Sequence, residues 1–230
     1  MEASRSAIRF EGVTEVVRKY LRDRIITGVI KPGERLNETV IAESLAVSTP
    51  PLREALCRLE NERLVTCIPR KGCFAADLSI ADLEDVCEVR EMIECYALDL
   101  LRKKDIRDLP LAREALERST TLQVQVSSDS NADILHYLRE FAGFHEKLIE
   151  AAGNPRLIDL YKVVSTNMAR YQIIYLSAPG STQHSVYNHQ EILDYIKTGD
   201  YSAAKEVVRQ HLEFVRTLLI THFVENESAE

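Results

Sequence analysis

The sequence predicts a mainly α chain of two domains: a small N-terminal domain of three helices closed by a β-hairpin over residues 1–77, and an all-helical domain over 78–230. Three observations lead there. In the stretch 47–59, Leu52, Ala55, Leu56 and Leu59 fall at i, i+3, i+4 and i+7, the stripe of a helix packed by one face. Two short extended pieces follow, 65–68 and 73–76, joined by Pro69-Arg70-Lys71-Gly72, a basic turn with glycine where positive φ is needed. Beyond Asp77-Leu78 no strand pattern recurs, only helical spacing.

In chain order, residues 1–12 carry little pattern and read as a mobile arm. Val13, Val16, Val17, Tyr20, Leu21 and Ile25 then follow helical spacing up to Gly28, and Lys31-Pro32-Gly33 ends that helix. Asn37 to Leu45 reads as a capped two-turn helix with Val40, Ile41 and Leu45 inward, and Ala46 to Ser48 form a turn. A third helix begins near Thr49. Ser48 is its expected cap, and Pro50 and Pro51 are tolerated only in a first turn, where N–H groups lack intrahelical partners. Thr49, Pro50 and Arg53 then face outward from that turn, where a recognition helix presents side chains to base edges. A helix-turn-helix followed by a hairpin is a winged helix.

Charge and cysteine usage narrow the classes. Net charge is −7 overall, but residues 1–77 carry 13 Lys and Arg against 11 Asp and Glu, a balance of +2, and the remainder is acidic. So weak a positive balance falls well short of that expected of an indiscriminate nucleic-acid binder and leaves placed contacts to do more of the recognition. Arg35, Arg53, Arg58, Arg70 and Lys71 fall on the helix-turn-helix and wing; the plain alternative is that they are solvated surface charges. Five scattered cysteines suggest reduced thiols in a cytoplasm rather than a disulfide frame; Cys67 and Cys73, which flank the wing turn, read as small apolar residues filling strands, with a redox role as the alternative. No apolar run has membrane-spanning length, and the polar N-terminus has no apolar leader core, so a soluble protein acting in the cytoplasm is expected.

In the second domain, Ser79-Ile80-Ala81-Asp82 has the form of a capping box opening a long helix to about Leu101. Further helices are expected near 105–126, 131–152, 155–176, 186–198 and 200–224, punctuated by Gly153-Asn154-Pro155, Ala178-Pro179-Gly180 and Gly199-Asp200, with a polar loop at 127–131.

Pro32-Gly33-Glu34-Arg35-Leu36, the run from Val47 to Leu56, and Arg70-Lys71-Gly72 together resemble the DNA-binding domain of the GntR family of bacterial transcriptional regulators. That resemblance implies contacts from Arg35, Ser48, Thr49, Pro50, Arg53 and Arg58 to bases or phosphates, with Arg70, Lys71 and Gly72 at the adjacent minor groove. The family usually has Arg-Thr after the serine, and this chain has Thr49-Pro50. An arginine–guanine pair contributes about 1–3 kcal/mol of discrimination, so the preferred operator should differ from the family's common one.

Val89-Arg90-Glu91-Met92-Ile93-Glu94, Phe144-His145 with Ala152-Gly153-Asn154-Pro155, Asn188-His189-Gln190-Glu191-Ile192-Leu193, Gly199-Asp200 and His211 are similar to the FCD effector domain of the FadR subfamily. The resemblance implies a dimerising bundle of six or seven helices that holds a small carboxylate beside a divalent metal, with His145, His189 and His211 as ligands. Arg90 would pair with the effector carboxylate, and Asn167, Arg170 and Tyr171 would line the same pocket. Each histidine lies among apolar neighbours that would equally suit a core histidine, and Arg90 could instead pair with Glu94. Phe141 stands where the family usually has an aspartate ligand, which weakens affinity for Zn²⁺ or a similar ion and leaves a metal-free pocket open.

The function expected is a ligand-responsive regulator, by default a repressor, binding a pseudo-palindromic operator on double-stranded DNA as a homodimer under the control of an organic acid. A helical interaction module with weak, non-specific DNA binding is the alternative. A metal-dependent enzyme using the three histidines lacks a general base in a His-Glu-x-x-His arrangement, a phosphate loop or a nucleophile elbow.

Overall fold

A computed structural model describes residues 12–106, 109–127 and 134–227, in two compact units divided after Asp77. The first unit runs α1 (Val13–Ile26), β1 (Arg35–Leu36), α2 (Glu38–Ser44), α3 (Thr49–Asn61), β2 (Val65–Ile68) and β3 (Gly72–Ala75). The expected N-terminal arm lies, apart from Gly12, outside the described residues.

Leu52, Ala55, Leu56 and Leu59 of α3 are almost wholly buried, against Val17, Leu21 and Ile25 of α1. Each such leucine contributes about 1.5–3 kcal/mol by leaving water. This face seats α3. Asn37 caps α2 through its side-chain oxygen, which accepts from the N–H groups of Thr39 and Val40. Two expectations need correction. Ser48 stands at the N-cap of α3 but makes no capping bond, because the N2 and N3 positions are Pro50 and Pro51 and offer no N–H. Val40 is exposed and Ala42 is the buried residue of α2; a helix so short turns only one narrow face to the core.

The sheet has order β1-β3-β2, all antiparallel. β1 is too short to carry an alternating pattern and was not expected. Its approach is fixed by Gly33, at φ +71, whose N–H donates to the carbonyl of Ala75 and where a Cβ would stand 2.7 Å from the Asp77 carboxylate. The larger correction concerns the thiols. Cys67 and Cys73 face each other across the hairpin with Cα atoms 4.0 Å apart and form a disulfide. Cysteine spacing along the chain does not reveal register, and register is what places these two opposite one another.

The second unit runs α4 (Ile80–Lys104), α5 (Pro110–Ser127), α6 (Ile134–Ala152), α7 (Pro155–Ser177), α8 (Ser181–Thr198) and α9 (Tyr201–Glu227). α4 packs on α6, α7 and α9, α5 on α6 and α8, and α8 on α9, around Leu98, Leu101, Phe144, Leu148, Ile192 and Leu212. α5 starts five residues later than its spacing suggests, after Asp105 turns the chain at φ +58. α8 starts five residues earlier, because Gly180 at φ +79 lets Ser181 open the helix directly. The expected polar loop beyond Ser127 and the first turn expected for α6 lie outside the described residues.

Only half of the expected capping box forms. Ser79 Oγ accepts from the Asp82 N–H at 3.1 Å, but the Asp82 carboxylate accepts from the Tyr171 hydroxyl at 2.8 Å rather than reaching back. The Ser79 N–H donates to that same hydroxyl at 3.3 Å, so a side chain from α7 completes the cap of α4.

Candidate functional site

Three helices of the second unit each turn one histidine inward: His145 from α6, His189 from α8 and His211 from α9. Each exposes 2% or less of its surface. One ring nitrogen from each lies within 4.8 Å of the others. They border a cavity of about 10 Å³ that is also lined by Arg90, Phe141, Gln172 and Tyr175, space for a single water-sized centre.

The surrounding hydrogen bonds fix how the rings present themselves. His145 Nδ1 lies 2.8 Å from Glu94 Oε2 and His189 Nδ1 lies 2.8 Å from Gln123 Oε1. Both acceptors require Nδ1 to carry the proton, which leaves Nε2 of each ring a bare lone pair. Gln123 is itself held, its Nε2 donating to the Glu140 carbonyl at 3.0 Å. Phe144 stacks on the His189 ring with centroids 4.4 Å apart and fixes its plane. His189 Nε2, His211 Nδ1, Arg90 Nη2 and Gln172 Oε1 are buried without a partner among the described residues.

Burial works against a charged Glu94, but His145 and Arg90 beside it outweigh this and hold its carboxyl well below the usual carboxylate range. Arg90 Nε donates to Glu94 Oε1 at 2.7 Å, and the Tyr161 hydroxyl donates to the same oxygen at 3.1 Å. Burial, then the neighbouring rings and Arg90, lowers His189 and His211 well below the ordinary histidine value. His145 is lowered by burial and Arg90. All three rings are therefore neutral near pH 7. Three neutral imidazoles with one ring nitrogen each converging in a closed space, two of them with their tautomers fixed by outer partners, fit a divalent transition ion, and neutral imidazole suits zinc, nickel, copper or iron.

Of the pocket residues expected on α7, the structure brings none to the cavity. Asn167 donates to the carbonyl of Val163, Tyr171 is spent on the start of α4, and Arg170, though buried, does not line it. Gln172 and Tyr175, on the adjoining face of α7, take those places. Phe141 lines the cavity as an apolar wall. Gln123 and Glu94 complete the set; each is buried among mixed apolar and polar neighbours on its helix, Leu116, Ser119 and Thr120 on α5 and Leu83, Cys87 and Arg90 on α4, and no spacing pattern singles out Gln123.

In the first unit the outward end of α3 carries exposed Ser48 and Pro50, a half-buried Thr49 and Arg53. Arg53 is 70% exposed and pairs with Glu38 at 2.6 Å, and Arg58 pairs with Glu54 at 2.6 Å. Exposed pairs of this kind contribute about 0–1 kcal/mol, so a phosphate or base edge competes for either arginine readily. At the wing, Arg70 and Lys71 are exposed, and the Arg35 guanidinium lies beside Gly72, where a Cβ would stand 3.4 Å from its Nε.

A family model described as bacterial regulatory proteins, gntR family, matches residues 13–75, and one for the FCD domain matches residues 85–214. The chain belongs to the GntR family. Among the relatives of this GntR regulator, the HTH-type transcriptional repressor GlaR of Escherichia coli (strain K12) is 27% identical over 200 residues, covering 84% of this chain and 90% of the relative. The HTH-type transcriptional regulator YdhC of Bacillus subtilis (strain 168) is 27% identical over 192 residues, 83% of this chain and 84% of the relative. A solved GntR regulator from Rhodococcus sp. RHA1 superposes with a TM-score of 0.69 at 25% identity, covering 90% of this chain and 97% of that one. The relatives are transcriptional regulators, and the histidine cluster of this GntR protein lies inside the segment that matches the FCD domain.

Proposed function

We propose that this GntR regulator acts as a homodimeric repressor in the cytoplasm, binding a two-fold operator through paired winged helices and sensing a small organic acid in its FCD domain. The observation that carries the reading is the set of unpartnered polar atoms converging on one cavity: His189 Nε2, His211 Nδ1, Arg90 Nη2 and Gln172 Oε1. Buried polar atoms left without partners cost about 1–3 kcal/mol each, and a cluster of them on one space is the signature of a site that a ligand completes.

His145, His189 and His211 would hold the metal, with Glu94 and Gln123 keeping the first two rings in register. A bound divalent ion would supply an open coordination position for an effector oxygen. Arg90, already tied to Glu94 through Nε, keeps Nη2 for a carboxylate. Because the cavity has room for about one water-sized centre, an organic acid must displace lining side chains such as Gln172 and Tyr175 as it enters. That displacement is the differential contact through which binding would shift the winged domains between two operator affinities.

For DNA, Arg53 and Thr49 would meet base edges, Ser48 a phosphate through the hydroxyl that capping leaves unused, and Arg35, Arg58, Arg70 and Lys71 the backbone or minor groove. An apolar stripe of α4, Val89, Met92 and Tyr96 at 41, 63 and 48% exposure, with Leu160 and Val163 of the neighbouring α7, supports dimerisation.

The test is selection from a randomised duplex pool, followed by titration of the selected complex with a panel of small mono-, di- and hydroxycarboxylic acids. Enrichment of a pseudo-palindrome, binding that weakens steeply with salt, and release by at least one acid is the expected result. Equal, weak binding to every sequence would leave only the interaction module.

A further inference from the structure

The disulfide of the first unit lies where the wing would touch DNA. β3 is the central strand, paired with β1 through Arg35↔Phe74 and Leu36↔Cys73, whereas β2 is an edge whose strand partner, among the described residues, is β3 alone. Beyond the facing pair Cys67 and Cys73 stand one rung, Ile68↔Gly72, and the three-residue tip carrying Arg70 and Lys71. A short two-stranded ribbon is marginal in water, so this cross-link governs how well the tip is ordered. The tip is itself poorly favoured, because Arg70 sits at φ +66, a conformation costly for a side-chain-bearing residue. On the other side, the Cys67 N–H donates to Glu60 Oε1 at 3.0 Å, which braces the same strand against α3.

We propose that Cys67 and Cys73 form a thiol–disulfide switch that sets the order of the wing, the closed form presenting Arg35, Arg70 and Lys71 to DNA and the open form releasing them. The inference rests on the DNA-binding reading above. Cys67 is half-buried and Cys73 buried, so an incoming thiolate reaches Cys67 Sγ first. A low-molecular-weight thiol attacks there, the Cys67–Cys73 bond breaks and Cys73 leaves as a thiolate that takes a proton. A second thiol then displaces Cys67 from the mixed disulfide. Overall the bridge gains two electrons and two protons, and two thiol molecules become one small disulfide; a small disulfide in excess drives the reverse. Cys57 is exposed but has no disulfide partner, and Cys87 and Cys95 are buried in the helical unit, so they serve as internal references.

The full-length protein is equilibrated across ratios of reduced to oxidised glutathione and read two ways. Trypsin cuts between the two cysteines at Arg70 and Lys71, so mass spectrometry should find peptides joined only by the bridge in oxidised protein and separate in reduced protein. On a duplex selected from a randomised pool, the oxidised form should bind about five- to tenfold more tightly, because immobilised side chains need no further ordering. Cys67→Ser should bind like the reduced form at every ratio, and Cys57→Ser should keep the full response. A bridge that never forms, equal affinity in the two forms, or tighter binding by the reduced form would overturn the switch while leaving the regulator intact. If neither form selects a sequence, the DNA-binding reading fails and takes the switch with it.

Discussion

Glu94 brings a full charge into the interior, and Arg90, His145 and Tyr161 are what make that tolerable. Breaking a buried ion pair by removing one member costs about 3–5 kcal/mol, so Glu94→Ala should lower the urea unfolding free energy by that amount. Tyr161→Phe removes one bond to the same carboxylate and should cost about 1.5–3 kcal/mol; equal losses in the two variants would contradict the arrangement. On the DNA side, Arg53→Ala should cost about 1–3 kcal/mol and relax preference at one operator position, whereas Lys71→Ala should weaken all sequences alike and reduce the salt slope by about 1. At this scale the histidines and Arg90 were legible because the FCD resemblance marks them. Gln123 was not, since one amide in a helix has no spacing signature of its own. Tyr171 was misplaced because one position along a helix turns a side chain about 100°, enough to exchange a cavity for the cap of α4.

α6, α8 and α9 meet through their histidines, and this gives the bundle a pH dependence. Burial depresses the three rings below the ordinary value of about 6.5, so the unfolded chain binds protons more readily than the folded one. Their contribution to stability is present above that value and is lost as pH falls below it. Thermal unfolding with a chelator present should therefore show a falling midpoint from about pH 7 to pH 5, and His189→Phe, stacked on Phe144, should flatten the fall. A midpoint indifferent to pH in this window would mean the rings are not buried neutral. Helices of this length were readable from apolar spacing, as with α3 and α7. Local chemistry decided the rest: consecutive prolines cancelled the Ser48 cap, Gly180 moved the start of α8, and β1 exists only by pairing with β3. The wing disulfide was out of reach because register is a tertiary fact.

For the whole molecule, the winged unit carries a balance of only +2, so a single copy offers DNA a modest field, which the proposed dimer would double. Met92→Glu combined with Tyr96→Glu should turn the protein into a monomer in analytical ultracentrifugation and reduce operator binding by far more than either domain's stability changes; a variant that stays dimeric would move the interface elsewhere. The division after Asp77 followed from the change of pattern there, and the motifs quoted from each part resemble domains of the same family. How small the cavity is was not legible in any residue pattern, because volume depends on the packing of Phe141, Gln172 and Tyr175 together. The three imidazoles are proposed to form a metal site despite Phe141. This proposal is tested most directly by elemental analysis of protein purified without an affinity tag and loaded with zinc. Wild-type protein should retain about one ion per chain after dialysis, and folded His189→Ala should retain essentially none; absence of metal from both would contradict the account.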